Sequence, residues 1–487
     1  MAEEIKNNSA TQAVAHLLND KAWARWLALV LIASMMFFAY MFVDVMSPLQ
    51  SLLEKVPLGW SASAFGNYAG AEYMLNVFGF LIVAGIILDK MGIRFTGVLS
   101  ASVMVIGAVI KLYAVSSWFA GSAFDLWLSS WWTAMPGSAK LAAFGFMIFG
   151  CGCEMAGITV SKAIAKWFEG KEMALAMGIE MAIARLGVFA VLSISPRLSE
   201  WWGANDPSVV PPVAFCTALL FIGLINYTVF TFMDIKLDKQ TGADKKSEGG
   251  EEEFKVSDVS NLLKSKLFWI IALLCVLYYS AIFPFQRFGT NMLQCNLHIS
   301  DVAAADILRW FPIGALILTP PLGFFLDKVG KGATMLIIGS ILLICCHLVF
   351  ALVLPSVPST GLALATIIVL GVSFSLVPAA LWPSVPKVMD ARYLGSAYSL
   401  IFWVQNIGLF GVPILFGKIL EASNVGVEPM DYNYTNPMLM FAGFGVAALF
   451  FALWLKILNG KHNYGLEKPN IKSSAETEEA ESMTIDM

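Results

Sequence analysis

Twelve apolar runs, each close to 20 residues, follow one another along this chain with short polar breaks between them. A helix of about 20 such residues crosses the ~30 Å hydrocarbon core of a bilayer. In that medium every backbone N–H and C=O must be satisfied within the chain, which favours helices here. The runs lie at about 26–47, 67–88, 95–115, 141–165, 173–195, 213–234, 267–288, 303–326, 333–354, 361–384, 394–417 and 437–457. The fold class read from them is an all-α polytopic membrane protein. Composition agrees. Hydrophobic residues make up 58% and charged residues 14%, against roughly 25% charged in soluble domains. The segment from Met1 to Lys21 is polar and the first apolar run is long enough to span, so no cleavable leader is expected.

The longest break between spans runs from Ile235 to Lys266 and is rich in Lys, Glu, Asp and Gly. It reads as a solvated linker between two six-helix halves. The expected organisation is an N-terminal segment 1–25, a first bundle 26–235, a linker 236–265, a second bundle 266–458 and a disordered tail 459–487. One set of loops carries Lys90 and Arg94, Lys166 and Lys171, Lys328 and Lys331, Lys387 and Arg392. The alternate loops carry few basic residues, so the first set, the linker and both termini are expected in the cytoplasm. The loop after the third span holds Trp118, Trp127, Trp131 and Trp132 and is expected to lie along the outer interface. Of seven cysteines, six fall inside apolar runs and Cys295 is placed in a loop. No metal-ligand spacing, nucleophile elbow or phosphate-binding glycine loop is present, so no metal, cofactor or enzymatic activity is expected.

The halves repeat. Gly85-x-x-x-Asp89-Lys90-x-Gly92 follows the second span, and Gly323-x-x-x-Asp327-Lys328-x-Gly330 follows the eighth, at a shift of 238 residues. A second correspondence, at a shift of 221, sets Ala184-Arg185-Leu186-Gly187 against Gln405-Asn406-Ile407-Gly408 and Glu154 against Ser375. The centre is therefore charged in the first half and neutral in the second. Glu154 lies 12 residues before Lys166, and Arg185 lies 14 residues after Lys171. At 1.5 Å per residue both sit roughly 18–21 Å from the same membrane face. A charge at that depth costs about 2.5–3.5 kcal/mol on insertion scales, so it faces a partner or a wet cavity. An acid and a base at matched depth suit the two ends of a zwitterion. A structural ion pair between them is the alternative.

The paired Gly-Asp-Lys-Gly loops resemble the signature of the major facilitator superfamily. Further blocks narrow the likeness: Gly152-Cys153-Glu154, Trp167-Phe168-Glu169-Gly170-Lys171-Glu172, Tyr278-Tyr279-Ser280-Ala281-Ile282-Phe283-Pro284-Phe285, Ala380-Leu381-Trp382-Pro383 and Leu394-Gly395-Ser396-Ala397-Tyr398. With the 31-residue gap from Glu154 to Arg185, they look like the branch that includes the lysosomal dipeptide uniporter of animals. The resemblance implies twelve helices in two pseudo-symmetric halves. It also implies dipeptide transport by alternating access, Glu154 taking the peptide amino terminus and Arg185 its carboxylate. The chain lacks the E-x-x-E-R motif of proton-coupled oligopeptide transporters.

Other candidates for substrate contact are Tyr40, Asp44, Tyr278, Tyr279, Trp382, Gln405 and Asn406. Asp44 is also a candidate outer gate. One of the two adjacent tyrosines is expected to line the cavity and the other to pack. Asp89, Lys90, Gly92, Asp327 and Lys328 are conformational candidates, and Glu180 is a candidate for proton coupling. Uniport and proton symport both stay open, as does a carboxylate carrier in which Glu154 carries the coupling proton. A non-transporting sensor is a further alternative. The expected partners are a dipeptide and the lipid bilayer, with no nucleic acid and no accessory subunit. A monomer in a bacterial inner membrane is expected.

Overall fold

The computed structural model describes residues 17–169, 171–202, 206–241, 262–389 and 394–469. The predicted linker from 242 to 261 and the tail from 470 onward lie outside these residues. Long helices account for the predicted spans. They are α1 (Ala22–Asp44), α2 (Ala62–Ala71), α3 (Phe80–Ala114), the short α4 (Ala123–Ser130), α5 (Gly137–Trp167), α6 (Met173–Ser199) and α7 (Val210–Thr241) in the first half. The second half holds α8 (Lys266–Leu297), α9 (Asp301–Leu308), α10 (Trp310–Lys328), α11 (Gly332–Leu348), α12 (Thr360–Val388), α13 (Leu394–Ser423) and α14 (Thr435–His462).

Among the described residues, 11 helices are long and apolar enough to cross a membrane. The remaining expected span, near 67–88, is interrupted. It is built from α2, a short turn of helix at Met74–Val77, and the first arm of α3. The backbone of α3 leaves the helix at Gly92, at φ 73° and ψ 173°, and the arm beyond it is the third span. Gly330 in the second copy of the motif also has positive φ, at 80°. A side chain is strained there, so the motif needs glycine at both positions.

Six spans return the chain to the face it started from, so the described ends and the flanks of the linker share one face, called here the terminal face. Leu18 N donates to Gln240 Oε1 at 2.8 Å across it. In the first half this face is tied by Lys162 to Asp89 at 2.8 Å. Arg94 and Lys166 add to it by gripping Asp234, at 2.7 and 2.9 Å, and both also reach Asp238.

The second half uses the tail instead. Helix α14 runs on to His462, and residues beyond it dock rather than hang free, a correction to the disordered tail expected from 459. Gly332 N donates to Leu466 O at 2.9 Å and Lys331 N to Glu467 O at 3.1 Å. The Glu467 carboxylate accepts from Thr334 N at 2.8 Å and so caps α11. Lys387 Nζ donates to Gly465 O and Lys468 O at 3.2 and 3.1 Å. Two further boundaries move. Helix α7 continues past 235 to Thr241, and Cys295 is buried inside α8, not in a loop. The loop tryptophans behave as expected, Trp118, Trp127, Trp131 and Trp132 all being exposed around α4.

The halves meet closely at the opposite, distal end. A Cβ on Gly66 would collide with Pro413 O, one on Gly70 with Phe410 O, and one on Gly417 with Ala62 O. Small residues let α2 and α13 pack backbone to backbone, where lipid supplies no hydrophobic drive for association. Gly70→Leu is expected to lower the detergent melting temperature, at the ~1–3 kcal/mol scale of an overpacked contact. Gly85→Leu, where nothing lies within 4 Å, should leave it unchanged in the same thermal-shift assay.

Candidate functional site

Glu154 stands near the middle of α5 and Arg185 near the middle of α6, each half-buried. They do not pair with each other. Among the described residues, neither Glu154 nor Glu180 has a hydrogen-bond or ion-pair partner. The Arg185 guanidinium instead lies over the ring of Phe374 on α12, 4.8 Å from its centroid. Such a contact is worth about 0.5–2 kcal/mol. Tyr40 of α1 lies within electrostatic reach of Glu154, Glu180 and Arg185 together, and Tyr279 of α8 within reach of Arg185. Four helices thus bring two acids, one base and two phenols into one locality at mid-membrane.

The wall contributed by the second half is aromatic. Phe374 meets Phe283 edge-on at 5.7 Å and stacks on Phe311 at 5.4 Å. Tyr279 stacks on Phe283 at 5.6 Å, and its hydroxyl accepts from Trp382 Nε1 at 3.1 Å. Trp382 stacks on Phe402 at 4.7 Å, and Tyr398 donates to the Trp382 carbonyl at 3.2 Å. Tyr278 is the tyrosine that packs. It is fully buried, 2.8 Å from Ser373 Oγ, and Ser373 gives its own proton to Gly339 O, so Tyr278 is the donor. Gln405 accepts from Cys275 Sγ at 3.3 Å. Asn406 donates to Phe402 O at 3.0 Å, and its Oδ1 has no partner. Gln405 and Asn406 are nearly buried.

Of the predicted residues, the structure gathers Glu154, Arg185, Tyr40, Glu180, Tyr279 and, through Tyr279, Trp382. Asp44 is engaged elsewhere. The motif residues Asp89, Lys90, Gly92, Asp327 and Lys328 lie at the terminal face, away from this locality. Asp327 is within electrostatic reach of Lys387.

A second charged cluster, on the distal side, was not foreseen in the sequence. Arg287 of α8 donates to Glu72 Oε2 at 2.5 Å, pairs with Asp44 Oδ1 at 3.3 Å and also reaches the Val43 carbonyl. Gln286 Nε2 donates to Asp44 Oδ2 at 2.6 Å, and Ser47 Oγ donates to Asp44 Oδ1 at 2.9 Å. All three charged groups are buried. Lys111 lies fully buried beside them, with Nζ 3.4 Å from Phe42 O and over the rings of Phe42 and Phe146 at 4.1 and 4.4 Å. The signal was available: Arg287 is the single charge between Lys266 and Leu297. Ending the predicted span at 288 made it look like a boundary residue, and Lys111, close to the expected end at 115, looked like one too.

Arg287 joins the second half to two helices of the first. Other cross-half contacts lie on the same side. Glu421 accepts from Ser61 Oγ and Ser63 N at 3.0 and 3.1 Å, and Arg197 pairs with Asp306 at 2.8 Å. Removing one partner of a buried pair costs about 3–5 kcal/mol, because the other charge is stranded. Arg287→Met is therefore expected to destabilise the distal-closed arrangement on that scale. The check is a lowered melting temperature together with faster maleimide labelling of a cysteine placed at Ala69, reached from the distal side.

The chain's likenesses agree with this geometry. The family model described as Major Facilitator Superfamily matches residues 111–413 and 288–482. The lysosomal dipeptide transporter MFSD1 of Danio rerio is 28% identical over 415 residues, covering 83% of this chain and 82% of that protein. Its Homo sapiens counterpart is 26% identical over 411 residues, covering 82% and 80%. Among solved structures, the nucleoside transporter NupG superposes with a TM-score of 0.64 at 15% identity, covering 88% of this chain and 99% of that one. A proton dependent oligopeptide transporter superposes with a TM-score of 0.61 at 13% identity, covering 89% and 99%. Helical spans, a repeated turn motif and a match over most of the chain lead to one conclusion: this multi-pass integral membrane protein is a transporter that belongs to the Major Facilitator Superfamily.

Proposed function

We propose that the chain moves dipeptides across the membrane by alternating access, with Glu154 binding the peptide ammonium and Arg185 its carboxylate. The observation that carries this reading is the state of those two groups. Both are half-buried at mid-membrane, and neither has a counter-ion among the described residues. A charge held there without a partner is costly, and a zwitterionic ligand supplies both missing charges. Arg suits the carboxylate because its planar fork engages both oxygens. Tyr279 and Trp382 give the second half an amphipathic wall for the peptide side chains. The names of the relatives, lysosomal dipeptide transporters, support the same substrate class.

The alternation follows from the distribution of contacts. The cross-half hydrogen bonds and ion pairs described above gather on the distal side, so the arrangement is one in which the site is reached from the terminal face. The excess of Lys and Arg in the terminal-face loops supports a cytoplasmic terminal face. Opening the other way requires Arg287 to leave Asp44 and Glu72, which makes that junction the distal gate. The motif residues Asp89 and Lys90, and Asp327 and Lys328, then act at the terminal face, where the opposite closure forms.

Uptake of a labelled dipeptide into proteoliposomes tests the reading. Wild-type protein should take it up, while Glu154→Gln and Arg185→Ala should each weaken binding on the order of 10–100-fold, the size of one charged hydrogen bond. Melting temperatures within a few degrees of wild type would show that the variants are folded. Unaltered uptake by both variants would remove the proposed site. A pH gradient imposed during the same measurement separates uniport from symport: uptake beyond equilibration that needs inward proton flow marks symport.

A further inference from the structure

The interior charges do not balance, and the imbalance is local. The distal cluster holds two acids, Asp44 and Glu72, and two bases, Arg287 and Lys111. Lys111 is within electrostatic reach of both acids, so that cluster is neutral as built. The central site holds two acids, Glu154 and Glu180, against the single base Arg185. A neutral dipeptide would satisfy Glu154 with its ammonium and Arg185 with its carboxylate. Glu180 would remain a half-buried carboxylate without a partner.

Glu180 is placed to meet a ligand side chain. It lies seven residues before Gly187 on α6, hence on the same helical face. A Cβ on Gly187 would press against Phe37 O and Tyr40 Cβ of α1. Glu180 is therefore on the α1-facing side of α6, and it shares Tyr40 with Glu154 and Arg185. Five residues separate it from Arg185, a rise of about 7.5 Å toward the terminal face. A peptide held by its ends at Glu154 and Arg185 can direct one side chain along that path.

We infer that Glu180 is a specificity residue for a cationic side chain, so that the transporter prefers dipeptides bearing one lysine or arginine and rejects those bearing an acid. The inference rests on the dipeptide site proposed above. The cationic side chain makes the occupied centre neutral, as the distal cluster already is. An acidic side chain adds a second unmatched negative charge in a medium that penalises the first.

The test is calorimetric titration of the purified full-length protein with Ala-Ala, Lys-Ala and Glu-Ala. Wild type should bind Lys-Ala more tightly than Ala-Ala by on the order of tenfold, one charge-assisted contact, and Glu-Ala more weakly than either. Glu180→Gln should bring the Lys-Ala to Ala-Ala affinity ratio to about one, and Glu180→Asp should restore part of it. Equal affinities in wild type, or a preference that survives Glu180→Gln, would overturn the inference while leaving the dipeptide site standing. Proton uptake on binding Ala-Ala, seen as heat that varies with buffer ionisation, together with no charge preference, would overturn it in favour of a proton as the missing charge. Failure of all three peptides to bind would instead bring down the dipeptide site, and the inference with it. The wild-type series needs no variant, so it decides even if Glu180→Gln does not fold.

Discussion

One guanidinium holds the two halves of this protein in register. Arg287 comes from the second half, and its counter-charges, Asp44 and Glu72, come from two helices of the first. In a low-dielectric interior neither side can be left alone, so α8 must sit against α1 and α2 for as long as the junction lasts. The close approach of α2 and α13 through Gly66, Gly70 and Gly417 depends on the same alignment. The central charges face the opposite situation. Glu154 and Glu180 are unpaired and Arg185 rests on an aromatic face, so the protein matches its charges where it closes and leaves them unmatched where it binds. Arg185 is oriented but not neutralised: the π face holds it more weakly than a carboxylate would, and exchange of one for the other is favourable.

Most of the fold was legible because bilayer thickness imposes a length on every span, and that length is visible as apolar runs. The repeat of the glycine-aspartate-lysine turn located the two halves. The central pair was legible because Glu154 and Arg185 sit far from any boundary. Arg287 and Lys111 were missed for the converse reason. They lie near the apparent ends of runs, where a long cationic side chain is ordinarily at the interface. Their burial follows from helix α8 continuing to Leu297 and from tertiary neighbours that no local pattern encodes. The break in the second span was likewise hidden, since its apolar content is continuous while its backbone is not. The assignment of Tyr278 to packing and Tyr279 to the site depends on helix rotation, which adjacency in sequence leaves open.

The pseudo-symmetry is strict in backbone and loose in side chains. Gly92 and Gly330 both take positive φ, since each turn must reverse the chain in the same way. The groups that secure the turns differ completely. The first half uses side-chain pairs, Lys162 with Asp89 and Arg94 with Asp234. The second uses main-chain carbonyls and one carboxylate of the segment after α14. A shared turn with unlike fastenings lets the two terminal corners respond to different conditions. The charged corner is screened by salt, while the one built on backbone hydrogen bonds is much less so.

The docked segment after α14 also sets an order of events. Glu467 caps α11, a helix that begins 135 residues earlier, at Gly332. During synthesis α11 is made and inserted long before its cap exists. The terminal corner of the second half is therefore the last part of the protein to be completed, and its closure registers that translation has passed Lys468.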